Sequence, residues 1–217
     1  MSILSRFFSK FITISYGITV NDEAKELKNL LDILLPLIDK NDEIIVLQDI
    51  THKNKEVTEL LAGYHDIVKL EARLDGDFAT FKNRLIEKAN GQYLFQIDAD
   101  EYPTEHFIKT LKPYLKKEKS VEIFYVPRIN TVEGITEEYV QQMKWKMNSE
   151  GYINFPDYQP RIIKNNKKIF WKNKVHEVLY GNKNFTEIPA KYELSLVHKK
   201  NFEKQKKQNN FYETLED

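Results

Sequence analysis

Cysteine is absent from the 217 residues. That removes disulfide frameworks, thiolate metal sites and cysteine nucleophiles, and leaves carboxylates and the five histidines as the available metal ligands. The absence fits a reducing cytoplasm. A net charge is missing too: Lys and Arg together number 33, as do Asp and Glu. No global field therefore draws the chain onto nucleic acid or an anionic membrane, and any such attraction must be local. No run approaches the ~18 apolar residues of a membrane span, and "MSILSRFFSKF" lacks the small-residue cleavage site of a signal peptide. The expectation is a soluble, cytoplasmic protein without a transmembrane segment. Ile3, Leu4, Phe7, Phe8 and Phe11 offer a short apolar face, which either packs on its own domain or touches a membrane or partner. Internal repeats and long Gly/Pro/Ser linkers are also lacking. With 41% hydrophobic residues, the chain is expected to form one domain over residues 1–217.

What is present in the first half alternates strand-like and helix-like periods, the mark of a parallel sheet with crossover helices. "FITISYGITV" is rich in β-branched and aromatic residues and runs into Asn21, an expected helix cap. Leu27, Leu30, Leu31, Leu34 and Ile38 then recur at helical spacing, with Pro36 expected to kink or end that helix. "EIIVLQ" predicts a second strand, "NKEVTELLAG" a second helix and "DIVKL" (Asp66–Leu70) a third strand. Asp77 can cap a third helix that Asn90-Gly91 stops, and "QYLFQI" predicts a buried central strand. The second half changes character. "VEIFYVP" predicts a strand, "TEEYVQQMKWKM" a weak helix, and "PRIIKNNKKIFWKNKVHEVLYG" short strands with turns. Residues 11–103 are thus expected to form one half, residues 104–200 a smaller irregular lobe on the same sheet, and residues 201–217 a polar helix or tail.

The predicted central strand ends in "DADEYP". In open α/β sheets ligands bind outside the carboxyl ends of strands, so Asp98, Asp100 and Glu101 would face a crevice, with Asn21 and Asp49 at neighbouring strand ends. An Asp-X-Asp pair by itself is often only a solvated turn. At a strand tip, two carboxylates one residue apart can share a hard divalent cation that bridges to substrate phosphates, and such a cation would neutralise a diphosphate leaving group.

The series "TVNDE", "EIIVLQD", "DFATFKNRLIEKANGQYLFQIDADEYP" and "YQPRIIKN…IFWKNKVHEVLYG" resembles family-2 glycosyltransferases of the inverting, metal-dependent type, in particular a small bacterial and viral branch with a Val-His-Glu segment. The resemblance covers residues 11–212 and is most specific from Asp77 to Pro103. It implies a Rossmann-like A-type fold with helices on both faces of a mostly parallel sheet, and a nucleotide-sugar donor, a UDP-sugar foremost. It implies that Thr19, Asn21 and Glu23 contact the nucleotide, that Asp49 holds the uracil or ribose, and that Asp77 lies on the donor side. Lys82 stands near the family's Arg that approaches the nucleotide, but it supplies a point charge rather than a planar fork. Asp98 and Asp100 match the Asp-X-Asp motif, Asp98 near ribose and metal and Asp100 on Mn2+ or Mg2+. Glu101 is expected as a solvated neighbour.

The family pattern also asks for a base that deprotonates the acceptor hydroxyl. Glu177 is favoured and Asp157 is the alternative. If "KVHEVLY" is a strand, His176 and Glu177 point to opposite faces. The resemblance makes His198 the candidate third metal ligand, with His176 its rival, while His52, His65 and His106 read as surface residues. Two Lys-rich segments, "KNNKKIFWKNK" and "KKNFEKQKKQNNFY", are either solvated faces or a groove for an anionic acceptor, such as a lipid-linked phosphate, a teichoic-type polymer or DNA. Two other functions share this scaffold. A nucleotidyltransferase would want a Gly-rich basic loop after the first strand, where "YGITVNDEA" has only Gly17. A non-catalytic module would bind nucleotide sugars without turnover.

Overall fold

The computed structural model describes residues 11–203 and Gln205. The apolar face expected at Ile3, Leu4, Phe7 and Phe8, and most of the C-terminal polar segment, lie outside the described residues. Phe11 is exposed. Among the described residues no helix is long and apolar enough to cross a membrane.

Four parallel strands build the first half: β1 (Ile14–Val20), β2 (Glu43–Asp49), β3 (Val68–Ala72) and β4 (Tyr93–Asp98). β1 lies between β2 and β4, and β3 flanks β2. The crossovers are α1 (Ala24–Leu34), α2 (Lys55–Ala62) and α3 (Phe78–Lys88). Strand alternation divides the core between the two faces. Ile14, Tyr16 and Ile18 of β1 and Phe95 of β4 join Leu27 and Leu31 of α1 and Val57 of α2 on one side. Ile45 and Leu47 of β2 and Leu94 of β4 join Phe81, Leu85 and Ile86 of α3 on the other. Helices therefore cover both faces, as expected.

Local chemistry sets the element ends. Asn54 and Asp77 cap α2 and α3 by accepting hydrogen bonds from the N–H groups of Val57 and Thr80. Asn21 does not cap α1, contrary to expectation. β1 continues to Val20 and α1 starts at Ala24, so Asn21 falls in the turn and Glu23 takes the N-cap position. The Glu23 carboxylate accepts from the N–H groups of Asn21 and Asp22. Before β4 the chain passes close to β1: a Cβ on Gly91 would lie 2.5 Å from the Ser15 nitrogen, so only glycine allows the approach.

The second half contains β5 (Glu101–Pro103), α4 (Glu105–Lys117), β6 (Ile123–Glu133), α5 (Glu137–Gln142) and β7 (Ile153–Lys164). Then follow β8 (Phe170–Lys172), β9 (Val178–Tyr180), β10 (Phe185–Glu187) and β11 (Leu196–Asn201). The main sheet runs β3-β2-β1-β4-β7-β6-β11-β5, with β10 on β6. β7 is inserted antiparallel between β4 and β6. The strand expected at "VEIFYVP" is longer than that run, β6 of 11 residues, because it pairs with the 12-residue β7 along most of its length. The short strands expected between Pro160 and Gly181 are the end of β7, β8 and β9. Irregularity is concentrated in the β8–β9 hairpin, which forms its own two-stranded sheet.

Candidate active site

β1, β2 and β4 end side by side, and β6, β7 and β11 close the opposite wall. Together they enclose a cleft of about 1140 Å³. Thr19, Asn21, Glu23, Asp49, Lys82, Asp98, Asp100, Asp157, His176, Glu177 and His198 all line it. Asp77 does not. Its carboxylate is occupied by the Thr80 N–H and hydroxyl, both at 2.9 Å, while its neighbours Gly76 and Phe78 reach the cleft.

Asp98 is the most constrained of the acids. One of its oxygens accepts from the Thr19 hydroxyl at 2.7 Å and the other from Arg161 at 2.6 Å. Burial opposes its ionisation, but the charges of Arg161 and Lys82 and the two hydrogen bonds outweigh burial and hold the carboxyl far below the usual range. Glu101, expected to be solvated, is fully buried at 0% exposure. The chain reverses after Asp100 into β5, which pairs with β11 and turns this side chain inward. Its Oε1 accepts from Arg161 at 2.5 Å and from Arg128 at 2.9 Å. Arg161 is itself buried, and its two acids keep it protonated against the cost of burial.

Asp100 and His198 meet across the cleft, with Oδ2 and Nε2 3.2 Å apart. Burial disfavours the Asp100 charge, but the hydrogen bond and the charge of His198 lower its pKa overall, with the nearby Lys200 helping. Lys200 has its own pKa pushed down by burial and by Arg128. Arg161 and Thr19 each engage one oxygen of Asp98, and of the expected ligand set of Asp98, Asp100 and His198 only Asp100 and His198 are in direct contact. Among the described residues no three His, Asp or Glu side chains cluster as a metal site, and His176, in the loop before β9, does not complete one. Asp100 and His198 remain as a two-residue donor set. It fits Mg2+ or Mn2+, which use one or two carboxylates with phosphate oxygens and water as the other ligands.

Asp49 is buried, and its Oδ1 accepts from the Thr51 N–H and hydroxyl and from the Leu74 N–H. It therefore braces two loops at the cleft edge as well as facing the cleft. Asp49→Asn, which keeps an acceptor there, is expected to raise the donor KM by an amount worth about 1.5–3 kcal/mol, the range for hydrogen bonds to charged groups. Steady-state kinetics with varied donor check this, and an unchanged KM would leave Asp49 only its loop-bracing role.

Residues 174–177 are not a strand. Asn173 and His176 have φ of 72° and 54°, which breaks the extended backbone, and β9 begins only at Val178. The expected alternation of His176 and Glu177 therefore does not hold, and both side chains line the cleft. Glu177 forms an ion pair with Lys82. Lys82 also lies 5.0 Å from the centre of the Trp171 ring. Trp171 is fixed from three directions: its N–H and C=O bond to the Asn83 amide and its indole N–H to Gln96. Asp157, the other base candidate, accepts from Arg128, Asn130 and Gln159. Burial works against its ionisation, but these partners lower its pKa.

Three lysines of the first Lys-rich segment are engaged within the chain. Lys164 and Lys167 donate to backbone carbonyls, Lys167 at the end of α3, and Lys172 stacks 3.6 Å from the centre of the Tyr180 ring. Most of the second segment lies outside the described residues. His52, His65 and His106 are exposed, as expected. Arg128, Asn130 and Arg161 were not expected. Their signal was present in "VPRIN" and "QPRII", where an arginine interrupts an apolar strand, a position tolerated when a buried charge is paired.

A Rossmann-like α/β sheet with an acid-lined cleft at the carboxyl ends of its parallel strands fits the A-type glycosyltransferase fold. Within it, the model of the family described as "Glycosyl transferase family 2" matches residues 15–182, and the chain belongs to that family. A curated relative, the SPbeta prophage-derived glycosyltransferase SunS of Bacillus subtilis (strain 168), is 25% identical over 166 residues, covering 76% of this chain and 34% of the relative. Glycosyltransferase SunS of Bacillus phage SPbeta matches equally. The chain thus spans about a third of the length of these relatives. Among solved structures, S. aureus TarS 1-349 in complex with UDP superposes with a TM-score of 0.62 at 12% identity, over 87% of this chain and 60% of that one. This likeness shows the shared fold.

Proposed function

We propose that the cleft transfers a sugar from a nucleotide-diphosphate donor to an acceptor hydroxyl with inversion at the anomeric carbon. The observation that carries this reading is the Asp98/Asp100 pair at the tip of β4, fixed by Thr19, Arg161 and His198 inside a cleft of donor size. The donor is a UDP-sugar: S. aureus TarS has been solved in complex with UDP and with UDP-GlcNAc, and the likeness in fold and family supports the same donor class. Asp100 and His198 would hold Mn2+ or Mg2+, which when bound would neutralise the departing diphosphate. Thr19 and Arg161 hold Asp98 ionised toward the donor. Glu177 takes the proton of the acceptor hydroxyl, and Lys82 orients it. Asp157 is the weaker base, because Arg128, Asn130 and Gln159 occupy its oxygens and lower its proton affinity.

A thermal-shift screen of nucleoside diphosphates and their sugars, with and without Mn2+, tests the reading, since a ligand of the folded state raises apparent stability. A UDP-sugar with Mn2+ is expected to stabilise the chain and to be hydrolysed slowly in the absence of acceptor. Stabilisation without any turnover would make the chain a binding module. Stabilisation by nucleoside triphosphates alone would point to nucleotidyl transfer.

A further inference from the structure

Asp157 stands at the junction of two hydrogen-bonded chains that end on the two donor-side acids. The first runs through arginines. Arg128 donates from Nε and Nη2 to Asp157 Oδ2, at 2.9 and 2.7 Å, and from Nη1 to Glu101 Oε1 at 2.9 Å. The same Glu101 oxygen accepts from Arg161, which donates in turn to Asp98. The second chain runs through an amide and an imidazole. Asn130 donates from Nδ2 to Asp157 Oδ2 at 2.7 Å, and its Oδ1 lies 2.8 Å from His198 Nδ1. A carboxylate only accepts, so Asp157 fixes the orientation of the Asn130 amide. The amide oxygen then faces His198 and requires a hydrogen on Nδ1. With Nδ1 engaged by Asn130, Nε2 is the ring nitrogen that meets Asp100 Oδ2, at 3.2 Å, and the one that a cation shared with Asp100 would take.

We infer that Asp157 is a positioning residue: it sets the side chains of Asp98 and Asp100 for the donor through these two branches, and Glu101 is the shared anchor of the arginine branch. The inference deepens the proposed function and rests on it. It separates two roles that position in the cleft alone does not. A base acts on the acceptor, so its loss spares donor affinity, whereas loss of a positioning residue for the donor acids weakens donor binding before any acceptor is present.

Isothermal titration of the full chain with UDP, GDP and dTDP in Mn2+ buffer, without acceptor, tests this. Asp157→Asn keeps the shape of a side chain that is 26% exposed; it is expected to lower the melting temperature through loss of the Arg128 ion pair while leaving a cooperatively folded chain, which thermal unfolding checks. It is expected to bind the preferred nucleotide roughly 2- to 30-fold more weakly, the span of coupling through contiguous side-chain networks. Arg128→Lys keeps the charge but loses the fork that reaches two carboxylates. It is expected to weaken the same binding, although the Arg128 hydrogen bonds go to Glu101 and Asp157 rather than to either donor acid. Unchanged nucleotide affinity in both variants, with turnover lost in Asp157→Asn, would make Asp157 the base and overturn the inference while leaving the donor site in place. Wild-type chain that binds none of the three nucleotides would overturn the reading of the cleft, and this inference with it.

Discussion

Asp100→Asn is expected to abolish metal-supported donor binding and to lower transfer by more than about 100-fold, since even outer-shell partners of metal ligands are worth 10- to 100-fold. The change removes charge and keeps shape. Asp100 lies in the turn after β4 and spends its side chain on His198 rather than on the core, so the fold should tolerate it. His198 would then face a neutral amide that can satisfy its hydrogen bond but cannot hold a divalent cation. The sign of the accompanying pH effect follows from the lowered pKa of Asp100. Its carboxylate contributes stability above the ordinary carboxylate pKa, and that contribution is lost as pH falls through the lower folded value. The variant should lose this acid-side dependence. Donor titrations with and without Mn2+, followed by turnover in excess chelator, are the measurement. Equal wild-type turnover in Mn2+ and in chelator would remove the cation from the mechanism.

Glu177→Gln is expected to lower kcat by roughly 10²- to 10⁴-fold, the contribution of general base catalysis, while donor affinity and metal dependence stay near wild type. The amide has nearly the shape of the carboxylate but cannot take a proton at neutral pH. Glu177 is also largely buried against Lys82, so the substitution leaves that ammonium without its counter-charge. Lys82 retains the Trp171 face and the field of Asp98, which limits the structural cost. Single-turnover transfer together with donor affinity separates the two effects. A rise in donor Kd as large as the fall in kcat would assign the pair to donor binding instead of proton transfer.

The parallel half of the fold was legible because its signals are local. The strand runs of β1, β2 and β4 alternate between two apolar helix faces, and Asn54 and Asp77 announce α2 and α3 by capping chemistry. The cleft position of Asp49, Asp98 and Asp100 then followed from topology alone. Less local features were missed. Glu101 looked like a solvated acid because its two arginines lie 27 and 60 residues further on, and no spacing rule joins them. The strand expected through His176 and Glu177 failed because the left-handed backbone at Asn173 and His176 is imposed by a loop that carries no glycine between Lys172 and Val178. The partner of Asp98 was out of reach for a related reason: Arg161 arrives from another strand, 63 residues further on.

The placement of β7 has a consequence for how the chain is made. β4 is complete at Asp98, yet its outer hydrogen-bonding edge is closed only when Ile162, Ile163 and Lys164 arrive in the antiparallel direction. At roughly 5–20 residues per second of synthesis, that edge stays unpaired for several seconds on the ribosome, with Leu94 and Phe95 behind it. An unpaired, apolar strand edge is a template for association with other chains. The nascent protein therefore passes through an interval in which association at that edge competes with completion of the sheet.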